Sequence, residues 1–299
     1  MPDGVGRVIA AGAGLAASQL WRSERARLFE TIDRVYHRMD RIPPLPIATI
    51  VEQTFIHFAL VGAELLRFPC FSEDDFKKRM EFRGIENLQK ALAQGRGVVL
   101  AVPHIGSWEM LGAAIAHAGF PLHSFYLGQK EGGIGEALDY FRTFSKIILH
   151  DRDRGLMASL RALKKGDLLG MIPDQDGGNH GIYLDFLGHW VSLPAGPANW
   201  SLKTGALVVP LWSLREGRSN RYVAHFLPHL PEETASSLDQ RIIDRTRRLA
   251  GWMQEIILAC PHQYLWFYDR FKPRHHDHIS HLKQAGVKMR AGGACLGHD

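Results

Sequence analysis

Apolar and polar positions along the chain change period several times, and each change marks an element. Residues 97 to 103, "GVVLAVP", form a short unbroken apolar run, the pattern of a strand buried on both faces. "GSWEMLGAAIAHAG" then switches to helical spacing, with Ser107 as N-cap and Gly119 as stop, so a helix is predicted over 107–118. Further apolar runs predict strands at 167–172, 206–214 and 222–229, and helical spacing recurs at 154–165 and 196–204. Upstream, "PIATIVEQTFIHFALVGAELLRFP", residues 46 to 69, reads as a long apolar helix. Its Glu52, His57 and Glu64 make it a poor bilayer span and a good core helix. The next stretch, "SEDDFKKRMEFRGIENLQKALAQG", reads as one polar helical segment, opened by a capping arrangement of Ser72 and Asp75 and closed by Gly95. A last helix, about 236–259, stops at Pro261, and "QYLWFYDRFKPR" closes the globular part. Strands alternating with helices predict an α/β fold whose largely parallel central sheet is flanked by helices.

Chemistry collects where these runs end. His104 sits at the junction between the strand at 97–103 and the helix after it, where α/β folds open into a crevice at the carboxyl ends of the strands. With a helix starting near Ser107, Glu109 falls in the first turn and its carboxylate can fold back toward one imidazole nitrogen. A carboxylate there fixes the tautomer and stabilises imidazolium, making His104 a general base toward a hydroxyl or amine. The same two residues also suit plainer work, Glu109 complementing the helix dipole and His104 ending a strand. A second strand end, "GMIPDQDGG", delivers Asp174, Gln175 and Asp176 ahead of two glycines, which is equally good turn chemistry. "HDRDRG", residues 150 to 155, offers Arg152 and Arg154 as a fork for phosphate or carboxylate, or as a solvated loop balanced by Asp151 and Asp153. No serine elbow, glycine-rich phosphate loop or metal-ligand spacing competes, and His104 to Glu109 is the wrong spacing for a zinc helix. A histidine base without a protein nucleophile points to direct transfer between bound substrates.

Bulk composition narrows the partners. A chain of 299 residues, 45% hydrophobic, buries a sizeable core, and its formal charge of +5 favours anionic partners. The cations show no aromatic-interleaved stripe of the kind that binds nucleic acid. Three scattered cysteines, Cys70, Cys260 and Cys295, support neither a disulfide framework nor a zinc ribbon. Between Arg7 and Arg22 lies an uncharged run, "VIAAGAGLAASQLW", whose 14 residues reach about 21 Å as a helix. That is short of a hydrocarbon core of roughly 30 Å, but long enough to lie in the interface with Trp21, Arg22, Arg25 and Arg27 at the headgroups; an ordinary core helix is the equal alternative on these residues alone. Residues 1–42 are accordingly expected to be a membrane-associating helical segment and 43–274 the main domain. The tail 275–299, with His275, His276, His278 and His281, is expected to be flexible.

Four stretches in unbroken order carry a resemblance. "VPHIGSWEM" resembles the His-x4-Asp/Glu motif of glycerolipid acyltransferases, and specifically the His-x-Gly-Asn-Trp-Glu form of the bacterial lipid A biosynthesis acyltransferases. "PDQDGG", "DFLGHWVSLPAGPANWSLKTGALVVPLW" and "QYLWFYDRFKPR" resemble later motifs of that family, so the likeness covers roughly residues 45 to 274. Ser107 stands where the family usually has asparagine, and the N-terminal run is shorter and richer in glycine than the membrane anchor of many relatives. The resemblance implies a glycerolipid-acyltransferase-like fold and transfer of a fatty acyl group from acyl carrier protein or acyl-CoA to a hydroxyl of an anionic glycolipid, such as a lipid A precursor. It makes His104 the base and Glu109 its charged partner. Arg152, with Arg154 as second choice, would hold phosphate, Asp174 and Gln175 would line the acceptor site, and Gly196 and Pro210 would shape the backbone. No cofactor or metal is implied. The expected location is the cytoplasmic face of a bacterial inner membrane, peripheral or weakly anchored. A lysophospholipid or another glycolipid as acceptor, a non-catalytic lipid-binding protein of the same fold, and a hydrolase using the same dyad on water are the alternative readings.

Overall fold

Strand β1 (Met80–Arg83), β2 (Val98–Ala101), β3 (Leu122–Tyr126), β4 (Ile148–Asp151) and β5 (Leu168–Met171) join β8 (Leu207–Arg215) and β9 (Tyr222–Phe226) in one sheet of the computed structural model. The order is β1-β9-β8-β2-β5-β3-β4, and every neighbouring pair is parallel except β8 with β9. The mostly parallel α/β architecture read from the sequence is therefore present. All four residues of β2 are buried, as an apolar run without alternation requires of a strand covered on both faces. It lies between β5 and β8, with Ala101 opposite both Met171 and Pro210.

Among the described residues the helices include α1 (Asp3–Leu20), α2 (Arg22–Arg38), α3 (Ile47–Leu65), α4 (Glu73–Arg79), α5 (Ile85–Leu92), α6 (Trp108–His117), α7 (Leu156–Lys165), α8 (Gly196–Thr204) and α9 (Leu238–Ala259). Residues 3–126, 140–151, 154–235, 237–272 and 295–296 are described, and the histidines of the tail lie outside them. Two compact units divide these residues: 1–14, 56–172 and 200–230 form the first, which holds the seven-stranded sheet, and the rest form the second. The core of the first unit runs through Val98, Leu100, Met110, Leu111, Ile115, Leu168 and Val209, so α6 buries its apolar stripe against the central strands. In the second unit β6 (Ile182–Phe186) and β7 (His189–Leu193) form an antiparallel hairpin, which β10 (Cys295–Leu296) joins along β6. Leu187 and Gly188 turn it with φ of 55° and 71°, the doubly positive geometry that matches strand twist. Tyr36 on α2 donates from its hydroxyl to the Leu258 carbonyl on α9 at 2.6 Å, and Arg245 and Glu233 form a buried ion pair.

One expectation fails instructively. The single polar helix anticipated over 72–95 has the right ends, since Ser72 and Asp75 form a reciprocal capping box and Gly95 has φ of 67°. Its middle is instead α4, the strand β1 and α5. Gly84 breaks it: φ is 75°, and a Cβ there would lie 2.4 Å from the Phe226 carbonyl oxygen, so the backbone approaches β9 as only glycine allows. Pairing along β9 outweighs the helical preference of "MEFR".

Among the described residues no helix is long and apolar enough to cross a membrane. Helix α1 turns Ala10, Gly14 and Ser18 inward and leaves Val5, Val8, Ile9, Leu15 and Leu20 exposed, followed by exposed Trp21.

Two stability predictions follow from this packing. Gly84→Ala should destabilise by about 2 kcal/mol or more, from the left-handed backbone plus the clash, read as a lower urea midpoint; an unchanged midpoint would show that β1 does not depend on this approach. Burial lowers the pKa of His117, His150 and His262 from the ordinary imidazole value, with the neighbouring His123 adding to the effect at His150. The unfolded chain then binds more protons than the native one below about pH 6.5, so stability is complete above that pH and is lost as pH falls. Thermal midpoints at pH 7.5, 6.5 and 5.5 should decrease in that order, and the decrease should shrink in His117→Phe.

Candidate active site

The turn that follows β2 is set by sterics before any chemistry. Val102 donates its N–H to the Met171 carbonyl at 3.0 Å, extending the pairing with β5 one residue beyond the strand. Pro103 ends it, having no N–H to continue. Gly106 then takes φ of 64°, and a Cβ there would sit 1.7 Å from the Ser213 carbonyl oxygen on β8, which no side chain survives. Ser107 caps α6, its hydroxyl accepting from the Met110 N–H at 3.3 Å, as its position before the helical spacing predicted.

This turn leaves His104 half-buried, with the Trp108 ring edge-on to it at 4.7 Å. Glu109 is buried in the first turn of α6, where the helix dipole favours a carboxylate. Arg142 grips it. The Nε of Arg142 donates to Oε1 and Oε2 at 3.1 and 3.2 Å, and the terminal nitrogen donates to Oε1 at 2.6 Å, the fork geometry of a strong pair. Trp108 adds a bond from its indole N–H to Oε1 at 3.2 Å. Glu109 is thus held in place by donors from two residues of the first unit, Arg142 and Trp108.

Behind the turn lies a second buried charge system. Glu64 of α3 accepts from both terminal nitrogens of Arg215 at 2.6 and 2.8 Å, and the Tyr222 hydroxyl donates to the same carboxylate. Arg215 also donates to the Ser219 carbonyl at 2.7 Å, so its charge is well compensated at 1% side-chain exposure. Burial drives the Tyr222 phenol well above its ordinary pKa, and the Glu64 carboxylate adds to this, so it remains a donor at all working pH. The Ser213 hydroxyl donates to the Ser107 carbonyl at 3.3 Å, tying the cap to β8.

The other sequence candidates belong to the second unit, to the loop before α7, or to residues outside those described. Asp174 is fully buried in the second unit, where its carbonyl accepts from Arg270 Nε at 3.3 Å. Gln175 beside it is half-buried. Asp176 accepts from Lys272 Nζ at 2.9 Å and from its own loop at the Gly178 N–H, also at 2.9 Å. Arg270 and Lys272, together with the Tyr268 hydroxyl that accepts from the Asp176 N–H at 3.2 Å, pack residues 263–272 against "PDQDGG", and the guanidinium of Arg270 lies 4.3 Å from the Tyr264 ring centroid. Arg154 is exposed, and its N–H donates to Asp151 Oδ1 at 2.9 Å. Arg152 lies outside the described residues.

Arg142 was not among the sequence candidates, because a lone arginine in "YFRTF" carries no pattern. Arg215 carried an indirect signal: a glutamate at position 64 of a core helix demands a cation, without saying which. Replacing Arg142 by Met should cost about 2–3 kcal/mol, less than a sealed pair because the Arg142 side chain keeps 25% of its surface exposed. The double variant Arg142→Met, Glu109→Gln should recover most of that in urea unfolding. No recovery would mean that Arg142 stabilises through something other than Glu109.

Comparison with known proteins gives one family model, described as bacterial lipid A biosynthesis acyltransferase, matching residues 2–273. The chain is similar to the lipid A biosynthesis acyltransferase of Haemophilus influenzae, 22% identical over 235 residues, covering 75% of this chain and 69% of that protein. It is 28% identical to the lipid A biosynthesis lauroyltransferase of Escherichia coli, covering 65% of this chain and 62% of the relative. It is 26% identical to the phosphatidylinositol mannoside acyltransferase of Mycolicibacterium smegmatis, covering 63% of this chain and 64% of the relative. These alignments span about two thirds of each relative's own length.

Proposed function

Because this chain belongs to the bacterial lipid A biosynthesis acyltransferase family, we propose that it moves a fatty acyl group from an acyl thioester to a hydroxyl of a membrane glycolipid such as a lipid A precursor. His104 takes the proton of the acceptor hydroxyl, the oxygen attacks the thioester carbonyl, and the tetrahedral intermediate collapses with loss of the thiolate, which recovers the proton from His104. Glu109 is the partner that orients and charges the imidazole. The observation that carries this reading is the glycine-pinned turn, which presents His104 half-buried within a few residues of a carboxylate clamped by Arg142. Clamping matters because a freely rotating carboxylate would give the histidine no fixed tautomer.

Contacts with acceptor phosphate are assigned to Arg152 and Arg154. Gln175 is assigned to the acceptor, with Asp174 acting from its buried position by fixing the backbone that bears it. The donor is acyl carrier protein or acyl-CoA, both anionic, in keeping with the net charge of +5. Residues 1–42 are proposed to lie on an anionic membrane surface, at the cytoplasmic face of a bacterial inner membrane. The exposed apolar row of α1, ending in Trp21 and Arg22, supports that placement. Similarity to a mannoside acyltransferase supports a second acceptor class, another membrane glycolipid, for the same chemistry.

The test is transfer from radiolabelled acyl carrier protein and acyl-CoA to a panel of lipid A precursor, phosphatidylinositol mannoside and lysophospholipid, beside His104→Ala. Labelled lipid should form with at least one acceptor and fall by ~10²–10⁴-fold in the variant. Label released only to water would make the protein a hydrolase. No turnover with any pair, and a variant indistinguishable from wild type in lipid binding, would leave a lipid-binding protein of the same fold.

A further inference from the structure

Helix α3 contains a buried histidine that the transfer chemistry does not use. His57 has 4% of its surface exposed, and its Nε2 donates to the Gly106 carbonyl at 2.9 Å. Gly106 precedes the cap of α6, and the intrahelical bonds begin with the Ser107 carbonyl, which accepts from Leu111 at 2.9 Å. The carbonyl of Gly106 therefore lies outside the helix ladder, and a side chain reaches it instead.

The next residue touches the same turn at a second point. Phe58 lies 6.1 Å from the Trp108 ring, and Trp108 stands edge-on against His104. Two consecutive residues of α3 thus hold the turn, His57 on its backbone and Phe58 on the indole that backs the His104 ring. Gly106 is pressed between His57 on one side and Ser213 of β8 on the other.

We infer that His57 is a positioning residue for His104, holding the Gly106 peptide so that the imidazole of His104 keeps a single orientation. The inference rests on the reading of His104 as the base. Removal of the donor leaves the Gly106 carbonyl buried without its side-chain partner, and the turn can rotate to regain one elsewhere. A base displaced by about 1 Å can lose on the order of 10²-fold in rate, while substrate binding, which depends on other surfaces, changes little.

Three variants separate this from a general packing role. His57→Phe keeps a ring and removes the donor, His57→Asn keeps a polar group too short to reach, and His57→Gln places an amide N–H near the original Nε2. Measured readouts are kcat, KM for the acyl donor, thermal midpoint, and the pH dependence of carbethoxylation of His104 by diethyl pyrocarbonate, mapped by peptide mass. The last needs no turnover, so it reports on His57 even if His104 proves not to be the base.

The expected result is a fall in kcat of ~10–100-fold in the Phe and Asn variants, with KM within about twofold and an altered His104 modification profile. The Gln variant should return to within about fivefold of wild type on both readouts. The inference is overturned if Phe and Asn keep kcat within about threefold, or if all three variants lose kcat, KM and thermal midpoint together. Activity retained in His104→Ala would instead sink the reading of His104, and the modification profile would still show whether His57 governs that ring.

Discussion

A parallel strand buried on both faces and hydrogen-bonded on both edges has nowhere to go at its end except into the narrow gap its neighbours leave. Strand β2 meets that constraint between β5 and β8, and the chain leaves by way of Pro103 and the left-handed Gly106, pressed against the Ser213 carbonyl. The proposed pair of His104 and Glu109 is registered to that exit. The cap at Ser107 fixes where α6 begins, the beginning of α6 fixes Glu109 in its first turn, and Trp108 is thrown against His104. A slip of one residue at Gly106 would turn all three side chains to other directions.

Among the described residues three buried glutamates answer the cost of desolvation in the same manner, each with one arginine fork: Glu64 with Arg215, Glu233 with Arg245, and Glu109 with Arg142. They differ in wetness. The side chains of Arg215 and Arg245 are 1% and 7% exposed, whereas that of Arg142 is 25% exposed. Sealed pairs hold elements together and have no means of sensing a ligand. The Glu109 pair is the most solvent-exposed of the three.

The parts of this architecture that were legible in the sequence share a physical cause. Strand β2 and helix α6 announce themselves through uninterrupted burial and through a cap, both local properties, and α8 falls on the anticipated residues for the same reason. β1 was hidden because "MEFR" has no strand preference of its own and exists by pairing with β9, more than a hundred residues later. The β6–β7 hairpin was hidden because its turn is Leu187–Gly188, not the Asn-Gly or Asp-Gly that usually marks doubly positive φ. At the site, His104 and Glu109 stood out by their spacing after an apolar run. Arg142 did not, since long-range salt bridges leave no local trace, and His57 showed only as a polar residue in an apolar helix.

Closing the "PDQDGG" loop by Arg270 and Lys272 has a consequence for the order of biosynthesis. On a ribosome adding ~5–20 residues per second, the partners of that loop emerge on the order of ten seconds after the loop itself. During that interval Asp174 and Asp176, acidic groups destined for burial, are without Arg270 and Lys272. The second unit can therefore reach its finished form only after synthesis has passed Lys272, while the seven strands of the first unit are complete once Phe226 has emerged.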